Sequence, residues 1–365
     1  MSDWCRLRAE FPALENCTYL NTATFGQLPR RGVDALMHHL RRRDRYACAD
    51  FLSWFDDVDR IRESCARLVN CTAADIAFVA NAATGLAYLM QGLDWKRGDE
   101  VLTLDGEFPN QLYQAVPAHR LGATFRTVPW SDLYGAINEQ TRVVMLSTVN
   151  YASGFRPPID KISQYLTERR VLLYVDGTQS IGALQFDVQE VRPSMLCVDA
   201  YKWLMSPNGA AFVYIDPQLR DRLPATTVGW RSDVGWRDVD RLNPGTPNFI
   251  ASAEKYEGGM ISFPCIYAMG AAVDMLLEVG PARIEHRVLE LAESTRSMFT
   301  ELGAEVNNDK SQIVTAWIPG CDAAALARML KEKSIVLSVR CGRLRVSPHF
   351  YNSETDIEML GAALK

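Results

Sequence analysis

The chain has 365 residues, which corresponds to about two domains of ~150 residues and is long enough to bury a large core. Its apolar fraction is 48% and its charged fraction is 23%, which excludes a disordered chain. With 39 Lys and Arg against 44 Asp and Glu, the net charge is −5, so the composition gives no reason to expect nucleic acid as a partner.

No apolar stretch approaches the ~20 residues that span a bilayer, and the first six residues lack the basic and apolar regions of a signal peptide. We therefore expect a cytoplasmic protein without membrane contact. The nine cysteines include no pair with the spacing of a zinc ribbon, and their odd number does not favour a disulfide framework. No metal site is predicted.

Two helices are predicted before residue 75, over residues 30–48 and 56–69. Pro29 precedes the first of them, at a position where helices tolerate proline. Residues 41–45 form the densest basic patch of the chain. We interpret this patch as a solvated helix face rather than a nucleic-acid contact, because no aromatic residue interleaves it.

From about residue 75 the chain alternates short β-rich runs with amphipathic segments, which is typical of a mainly parallel sheet covered by helices. Several runs are apolar almost throughout, as expected for strands that are buried on both faces. The predicted strands are residues 76–80, 100–104, 124–128, 143–147, 171–175, 195–198 and 211–215.

Between about residues 223 and 263 the periodicity fades, and glycine, proline and tryptophan concentrate. We interpret this stretch as an ordered connection that carries site loops, since long loops in compact proteins are usually functional. The rest of the chain predicts a second, smaller α/β unit. Its predicted elements are helices over 266–278, 282–302 and 323–333, a strand over 313–318, two short strands that flank Gly342, and a final helix opened by a capping box at Ser353.

Polar residues at the ends of the predicted strands are the candidates for chemistry, because ligands of open parallel sheets bind at the carboxyl ends of the strands. Asp176 and Asp199 each follow an apolar strand, and Lys202 lies just beyond Asp199. Burial between the aromatic neighbours Tyr201 and Trp203 favours the neutral amine that attacks carbonyls. Taken alone, a lysine here more often forms a structural ion pair. Together with a carboxylate for a protonated ring nitrogen, it points to pyridoxal phosphate.

Three upstream strand ends supply further candidates. Ala83 and Thr84 open an apolar helix, where free backbone amides favour a phosphate, although Thr84 also fits an ordinary N-cap. Phe108 is placed to cover a planar ring and also fits the core. Asn150 is placed to donate to a ring hydroxyl and also fits a turn asparagine.

In this order and spacing, these strings resemble the class-V aminotransferase family of fold type I pyridoxal-phosphate enzymes, which includes cysteine desulfurases, kynureninases and isopenicillin epimerase-like proteins. The resemblance begins at residues 19–26 and ends at residues 345–352, so it covers nearly the whole chain. It implies an α/β fold with a mainly parallel central sheet sandwiched by helices and a smaller C-terminal α/β domain. The division it implies is an N-terminal segment near the small domain (1–30), a cofactor-binding large domain (31–250) and a small domain (251–365).

The resemblance also implies roles for individual residues. Lys202 forms the Schiff base with pyridoxal phosphate and moves the substrate Cα proton. Asp176 pairs with the ring nitrogen, and Arg345 binds the substrate α-carboxylate, although Arg345 alone also fits a surface ion pair. Asn21 belongs to the substrate side. The other cofactor-binding residues that it implies are Phe108 on the ring, Asn150 and Gln179 at the ring oxygen, and Ala83, Thr84, Asp199 and Tyr201 around the phosphate.

Two strings differ from the family pattern. Only residues 341–344 separate Arg340 from Arg345, which leaves no room for the loop that holds the nucleophilic cysteine of desulfurases. Residues 257–260, Glu-Gly-Gly-Met, replace the glycine-threonine phosphate contact that the family takes from a partner subunit. Persulfide chemistry at Cys341 is therefore disfavoured, and the sequence leaves open whether a partner subunit contributes to the phosphate site.

The sequence thus predicts a pyridoxal-phosphate enzyme that acts on an amino acid or amine, and the resemblance implies that it assembles as a homodimer. Transamination is the leading reaction, a β-eliminating or C–S lyase is the alternative, and an amino-acid epimerase is the third. The non-enzymatic alternative is a doubly wound binding module that has lost catalysis, which the retained lysine, carboxylate and arginine disfavour. The sequence contains no dinucleotide fingerprint and no phosphate-loop lysine motif.

Overall fold

The computed structural model describes residues 3–365. Residues 1 and 2, which belong to the predicted N-terminal segment, lie outside the described residues. The helices are α1 (Asp3–Arg8), α2 (Arg30–Tyr46), α3 (Phe51–Val69), α4 (Ala82–Gly92), α5 (Pro109–Leu112), α6 (Ala115–Arg120), α7 (Leu133–Ala136), α8 (Ile159–Thr167), α9 (Val188–Val191), α10 (Pro217–Arg222), α11 (Phe263–Val279), α12 (Pro281–Glu301), α13 (Ala323–Glu332) and α14 (Glu354–Leu364). The strands are β1 (Thr18–Tyr19), β2 (Ile76–Val79), β3 (Glu100–Leu104), β4 (Thr124–Val128), β5 (Thr141–Ser147), β6 (Leu172–Asp176), β7 (Met195–Asp199), β8 (Ala211–Ile215), β9 (Glu305–Val306), β10 (Val314–Trp317), β11 (Ile335–Val336), β12 (Ser338–Arg340) and β13 (Arg343–Val346).

The central sheet has seven strands in the order β2-β8-β7-β6-β5-β3-β4. Only β8 runs antiparallel to its neighbours. Alternate residues of the inner strands enter two separate apolar clusters, one on each face of the sheet, with α3, α8 and α11 in one cluster and α4 and α10 in the other. Burial on both faces explains the continuous apolar runs in the sequence. The predicted α/β class with a mainly parallel, helix-covered sheet is confirmed.

The strand predictions hold because buried strands are marked by local composition. β3, β4 and β8 have the predicted bounds, and β2, β5, β6 and β7 differ by one or two residues at an end. The predicted start of α3 at residue 56 is wrong, since the helix begins at Phe51. Trp54 and Phe55 are buried in the core from this first turn, which extends the apolar face of the helix towards its N-terminus.

The smaller sheet has four antiparallel strands in the order β12-β13-β10-β9, and it packs on α12, α13 and α14 through its own apolar cluster. β1 pairs in parallel with β11, and Asn21 bridges to Ser347, so the N-terminal segment lies beside the smaller sheet. α11 packs against α2 and α3 and shares the apolar cluster of the central sheet. The division of the chain at residue 250 stays a prediction.

Residues 3–365 contain neither a single helix suited to span a membrane nor a cluster of side chains suited to bind a metal ion. No single helix there is both long and apolar enough to cross a membrane, and α11 and α12 meet these criteria only as a pair bent by 86°. Ten residues of α11 are buried within the protein. In the same range, no group of three or more His, Cys, Asp or Glu side chains is arranged to hold a metal ion.

Candidate active site

The candidate residues meet where β3, β5, β6 and β7 end, because the carboxyl ends of parallel strands lie at one edge of the sheet. Lys202 follows β7, and only 6% of its surface is exposed. One cavity joins it to the neighbouring strand ends. The residues that line this cavity are Phe108, Asn110, Ser147, Tyr151, Asp176, Thr178, Gln179, Asp199, Tyr201 and Lys202. We call it the Lys202 cavity.

The amine of Lys202 has no polar partner among residues 3–365. Its Nζ lies 5.4 Å from the ring centroids of both Phe108 and Tyr201, and no residue among 3–365 makes a hydrogen bond or ion pair with it. Burial lowers the pKa of Lys202 to about 8, against the opposing effect of Asp176 and Asp199. About a quarter of such amines are neutral at pH 7.5, compared with about one in a thousand for an ordinary lysine.

Two carboxylates from adjacent strands border the Lys202 cavity. Asp176 Oδ1 accepts the N–H of Thr178 at 2.9 Å, and Asp199 Oδ1 accepts the N–H of Ala82 at 2.9 Å. In the described part of the chain, the second oxygen of each carboxylate has no hydrogen-bond donor. Burial raises the pKa of Asp199 to about 6, and the negative charge of Asp176 adds to this effect. Both groups therefore keep an oxygen for a ligand.

The N-terminus of α4 lies next to this cavity, since Ala82, its first residue, contacts Asp199. Asn81 is the N-cap, and its Oδ1 accepts the N–H of Thr84 at 3.0 Å and the Thr84 hydroxyl at 3.1 Å. The interpretation of Thr84 as the cap is therefore wrong. Ala83 and Thr84 are half-buried in the first turn. The positive end of this 11-residue helix favours an anion beside them.

Arg345 on β13 is a buried cation without a counter-ion. It is 1% exposed, and it donates to the Ser338 hydroxyl at 3.0 Å, to the Tyr151 carbonyl at 2.6 Å and to the Thr24 hydroxyl at 2.6 Å. Within residues 3–365 no carboxylate forms an ion pair with it, so the interpretation as a surface ion pair is wrong. Burial lowers the pKa of Arg345 to about 9, and the positive charge of Arg340 adds to this effect.

The segment after β1 borders the site and connects Asn21 to Arg345. Asn21 Oδ1 accepts the Thr24 hydroxyl proton at 2.8 Å, while the Thr24 oxygen accepts a hydrogen bond from Arg345. Asn21 therefore acts on the arginine through Thr24. Gly26 allows the segment after β1 to lie close to the backbone of Lys202, because a Cβ at this position would lie 1.9 Å from the carbonyl oxygen of Lys202.

Asn150 lies next to the Lys202 cavity but does not line it. Its Oδ1 accepts the N–H groups of Ala152 and Ser153 at 3.0 Å, and its Nδ2 donates to the Gly106 carbonyl at 2.9 Å. Asn150 therefore acts as a turn asparagine, which is one of the two roles that the sequence allows for it. Its side chain lines a neighbouring cavity of about 210 Å³.

Gln179 lines the Lys202 cavity, but its amide is already held. Nε2 donates to the Ala23 carbonyl at 3.0 Å, and Oε1 accepts the indole N–H of Trp203 at 3.0 Å. His349, which the sequence analysis missed, supports the same tryptophan. Its Nδ1 accepts the N–H of Phe350 at 2.8 Å, so its Nε2 donates to the Trp203 carbonyl at 3.0 Å. Burial lowers the pKa of His349 to about 4, which keeps it neutral.

Aromatic rings form much of the cavity wall. Phe108 meets Tyr151 at a centroid distance of 5.1 Å and an angle of 78°, and Tyr201 meets Phe25 at 5.2 Å. Burial raises the pKa of Tyr201 to about 12, so its hydroxyl stays protonated and able to donate. Flat apolar surfaces of this kind suit a planar ring.

Glu107 is a buried acid beside the site that the sequence analysis missed. Its carboxylate accepts the N–H of Ser147 at 2.8 Å, the hydroxyl of Ser147 at 2.6 Å and the amide of Gln111 at 3.0 Å. Burial raises the pKa of Glu107 to about 7, and the nearby Asp176 adds to this effect. The signal was present in the sequence, since Glu107 directly precedes Phe108 at a strand end.

One known protein family matches nearly the whole chain. The profile of the family described as Aminotransferase class-V matches residues 19–360. The chain belongs to the class-V aminotransferase family. The match spans both sheets and every residue of the Lys202 cavity, so the resemblance inferred from the sequence motifs is confirmed.

Individual members of the family are similar over the whole chain. The isopenicillin N epimerase of Streptomyces clavuligerus is 25% identical over 100% of this chain and 98% of its own length. A probable cysteine desulfurase of Methanothermobacter thermautotrophicus is 22% identical over 98% of this chain and 96% of its own length. The solved structure of a C-DES mutant with glycine covalently linked to its pyridoxal-phosphate cofactor covers 98% of both chains at 23% identity, with a TM-score of 0.90. This structural likeness confirms the fold.

Pyridoxal phosphate is the cofactor of this enzyme family, and the observed residues fit it. The cofactor needs an amine for its aldehyde, an acid for its ring nitrogen, a site for its phosphate and a flat surface for its ring. The Lys202 cavity offers an unpartnered amine, carboxylate oxygens without donors, a helix N-terminus and aromatic walls. The protein is a pyridoxal-phosphate-dependent enzyme.

The stretch over residues 223–263 differs from the expectation that it carries site loops. Within the described residues it supplies none of the side chains that line the Lys202 cavity. Instead, Glu257 forms buried ion pairs with Arg62 at 2.5 Å and with Arg231 at 2.8 Å. The Glu-Gly-Gly-Met string is therefore held against the central sheet of its own chain, because Glu257 Oε1 also accepts the N–H of Phe78 in β2.

Proposed function

We propose that the enzyme acts on an amino acid and that its reaction is transamination. The observation that carries the proposal is the buried guanidinium of Arg345, which is unpaired among the described residues and donates to the carbonyl of Tyr151, a residue that lines the same cavity as Lys202. A cation and an amine in this relation suit a substrate that carries a carboxylate next to an amino group. In the first half-reaction of a transaminase, Arg345 would hold the substrate carboxylate, Lys202 would give up its bond to the cofactor and carry the Cα proton, and water would release the oxo acid.

We assign the binding of the cofactor to residues of the Lys202 cavity. Pyridoxal phosphate, when bound, supplies an aldehyde and an electron-withdrawing ring. Asp176 would hold the protonated ring nitrogen through its free oxygen, and Phe108 would pack on the ring face. The N-terminus of α4, with Ala83, Thr84 and Tyr201, would bind the phosphate. Asp199 organises this helix start by accepting the N–H of Ala82.

Asn150 and Gln179 act as positioning residues in this proposal. Asn150 fixes the turn after β5 through the N–H groups of Ala152 and Ser153. Gln179 holds Trp203, the residue after Lys202, and thereby the orientation of the lysine. Both amides have the hydrogen bonds that a turn or a packed strand end requires, which supports a role through neighbours instead of direct contact with the ring oxygen.

Lys202 carries the proton in this proposal. A pKa of about 8 would let Nζ take a proton from the substrate Cα and deliver it to the cofactor carbon that becomes the amine carbon, since both protonation states are populated near neutral pH. Burial excludes water from this amine. Arg345 holds the carboxylate of the substrate, and Asn21 keeps the arginine in position through Thr24.

Epimerisation is the second candidate reaction, because an isopenicillin N epimerase is similar over the whole chain. It also needs only a proton moved at Cα. Desulfuration is disfavoured by the β12–β13 hairpin, in which Cys341 and Gly342 form the entire turn and Cys341 is exposed. This turn is too short to carry a cysteine into the cavity.

We also infer that the chain assembles as a homodimer. Several large apolar side chains are exposed on the single chain, among them Tyr113 at 70%, Val116 at 65% and Met260 at 61%. Exposed apolar groups of this size favour burial against a second copy. Sedimentation equilibrium of the holoenzyme is expected to give twice the chain mass, and a monomer at micromolar concentration would refute this inference.

The reaction is tested by incubating the holoenzyme with a panel of single amino acids. Conversion of the cofactor to pyridoxamine phosphate supports transamination. Pyruvate or sulfide release overturns it in favour of a lyase, and deuterium exchange with racemisation overturns it in favour of an epimerase. No response to any amino acid overturns the proposed substrate class.

A further inference from the structure

The β12–β13 hairpin presents three arginines on one of its faces. Ser338 lies opposite Arg345, and Arg340 lies opposite Arg343, with a two-residue turn between the strands. Directly opposed residues of an antiparallel pair project from the same face, and so do residues two apart on one strand. The other face carries Leu344, which is buried in the core of the smaller sheet.

These arginines differ in how their charges are balanced. Arg343 pairs with Glu305 at 3.6 Å. Arg345 donates only to neutral oxygens, and Arg340 donates only to the carbonyl of its neighbour Val339, at 2.7 Å. In the part of the chain that the structure describes, no carboxylate forms an ion pair with Arg340. Two of the three cations therefore lack a counter-ion.

Arg340 shares its face of the hairpin with Arg345, which donates to the carbonyl of Tyr151, a residue that lines the Lys202 cavity. Arg340 is half-buried. Neighbouring cations without an acid repel one another, which costs folding free energy unless an anion is bound. A bound anion would remove this repulsion.

The proposed function assigns no anion to Arg340, since it places the cofactor phosphate at the start of α4 and the substrate α-carboxylate at Arg345. In the proposed function, Asp176 holds the ring nitrogen, Asp199 organises the start of α4, and the substrate α-carboxylate neutralises Arg345. No group of the cofactor or of the α-amino acid core remains for Arg340. A side chain of the substrate that ends in an anion supplies the missing charge.

We propose that Arg340 binds a second, distal carboxylate of the substrate, so that the enzyme prefers acidic amino acids. The proposal rests on the proposed function and adds its substrate class. Arg345 and Arg340 then form two separate guanidinium contacts at the two ends of a dicarboxylate, each suited to a planar carboxylate. Neutral amino acids use only the first contact and bind more weakly.

The test uses unreactive acids and amino acids with the holoenzyme. Titration calorimetry is expected to show succinate binding about tenfold or more tighter than butyrate, since a charge-assisted contact contributes about 1.5–3 kcal/mol. The kcat/KM for aspartate and glutamate is expected to exceed that for alanine by a similar factor. The variant Arg340→Gln should remove both preferences while the values for butyrate and alanine stay within about twofold.

Two further variants on the same hairpin sharpen the result. Arg340→Lys is expected to restore part of the preference, because it keeps the charge without the planar fork. Arg343→Gln removes a cation that is already paired with Glu305 and should leave the preference intact. Equal binding of succinate and butyrate to the unaltered enzyme would overturn the proposal, as would an equal loss for both acids in Arg340→Gln.

The two levels of the proposal fail in different ways. If neutral amino acids react as well as acidic ones, the distal contact is refuted and the proposed function stands. If no amino acid reacts and neither acid binds to the holoenzyme, the proposed function itself is refuted.

Discussion

Two groups of buried charged side chains occupy this fold, one around Lys202 and one around Glu257, and they differ in whether their charges are matched. Glu257 pairs with Arg62 and Arg231, and Arg231 also pairs with Glu254 at 2.6 Å. Burial acts to raise the pKa of Glu257, but the two arginines outweigh it and the net pKa is lowered. Every carboxylate in this cluster has a cationic partner from its own chain.

The Lys202 cavity shows the opposite arrangement. Lys202 and Arg345 are buried without ion pairs among the described residues, and Asp176 and Asp199 each keep an oxygen free. Leaving charges unpaired in a low dielectric is costly, so a fold retains them where a ligand completes them. In this protein the functional site is therefore identified by buried charges that lack a partner, and not by buried charges in general.

The strongest test of the unpaired charges in the Lys202 cavity is the variant Lys202→Ala. We expect borohydride to fix pyridoxal phosphate to Lys202 in the unaltered protein, and the variant to lose both this fixation and the activity, by about 10³-fold or more. Mass spectrometry of the reduced, digested protein measures the attachment. Lys161→Ala, at an exposed lysine, is the control that should retain both properties. Fixation at another lysine would remove Lys202 from the site.

The paired charges around Glu257 are tested by the variant Glu257→Gln, which leaves Arg62 and Arg231 without their shared partner. We expect the free energy of unfolding to fall by about 3–5 kcal/mol, because breaking a buried ion pair strands the remaining charges. Urea denaturation followed by fluorescence measures the loss. Glu168→Gln, which removes an ion pair with Arg169 that is exposed on both sides, should cost about 1 kcal/mol or less. Equal losses in both variants would contradict the structural role of the cluster.

The variant Arg345→Gln tests whether Arg345 binds the substrate or stabilises the fold. We expect KM for amino acids to rise about 100-fold, since a charge-assisted contact with the α-carboxylate is lost, while the cofactor stays bound. Stability should fall little or even rise, because an unpaired buried charge is removed. Steady-state kinetics and a melting curve of the same preparation measure the two effects. A large loss of stability with an unchanged KM would assign Arg345 to the structural group.

The pH dependence of cofactor attachment gives the smallest and most specific effect. Burial lowers the pKa of Lys202 to about 8, so the neutral, reactive amine increases about tenfold between pH 7 and pH 9 and then reaches a plateau. Stopped-flow absorbance of the apoenzyme with pyridoxal phosphate measures the rate. Asp199→Asn should move the midpoint to lower pH, since the Asp199 carboxylate favours the protonated amine. A rate that rises steadily beyond pH 10 would indicate an ordinary, solvated lysine.

Much of the fold and of the site chemistry was predictable because its signals are local. The strands from residue 100 to 104 and from 211 to 215 are short apolar runs, and the structure has them with the same bounds. Lys202 and Asp176 were predicted from their positions after such runs. Asn150 was ambiguous, because a turn and a ligand contact use the same amide, and only the structure assigns its hydrogen bonds to the turn.

The sequence by itself determined where the strands lie and which reactive side chains follow them, because periodicity and composition act over a few neighbouring residues. Tertiary structure alone decided which charges are satisfied. Arg62 and Glu257 are 195 positions apart and form a buried pair, whereas Arg340 and Arg345 are close in sequence and find no carboxylate. Charge balance depends on distances in space between residues far apart in the chain, so only the folded arrangement distinguishes the site from the scaffold.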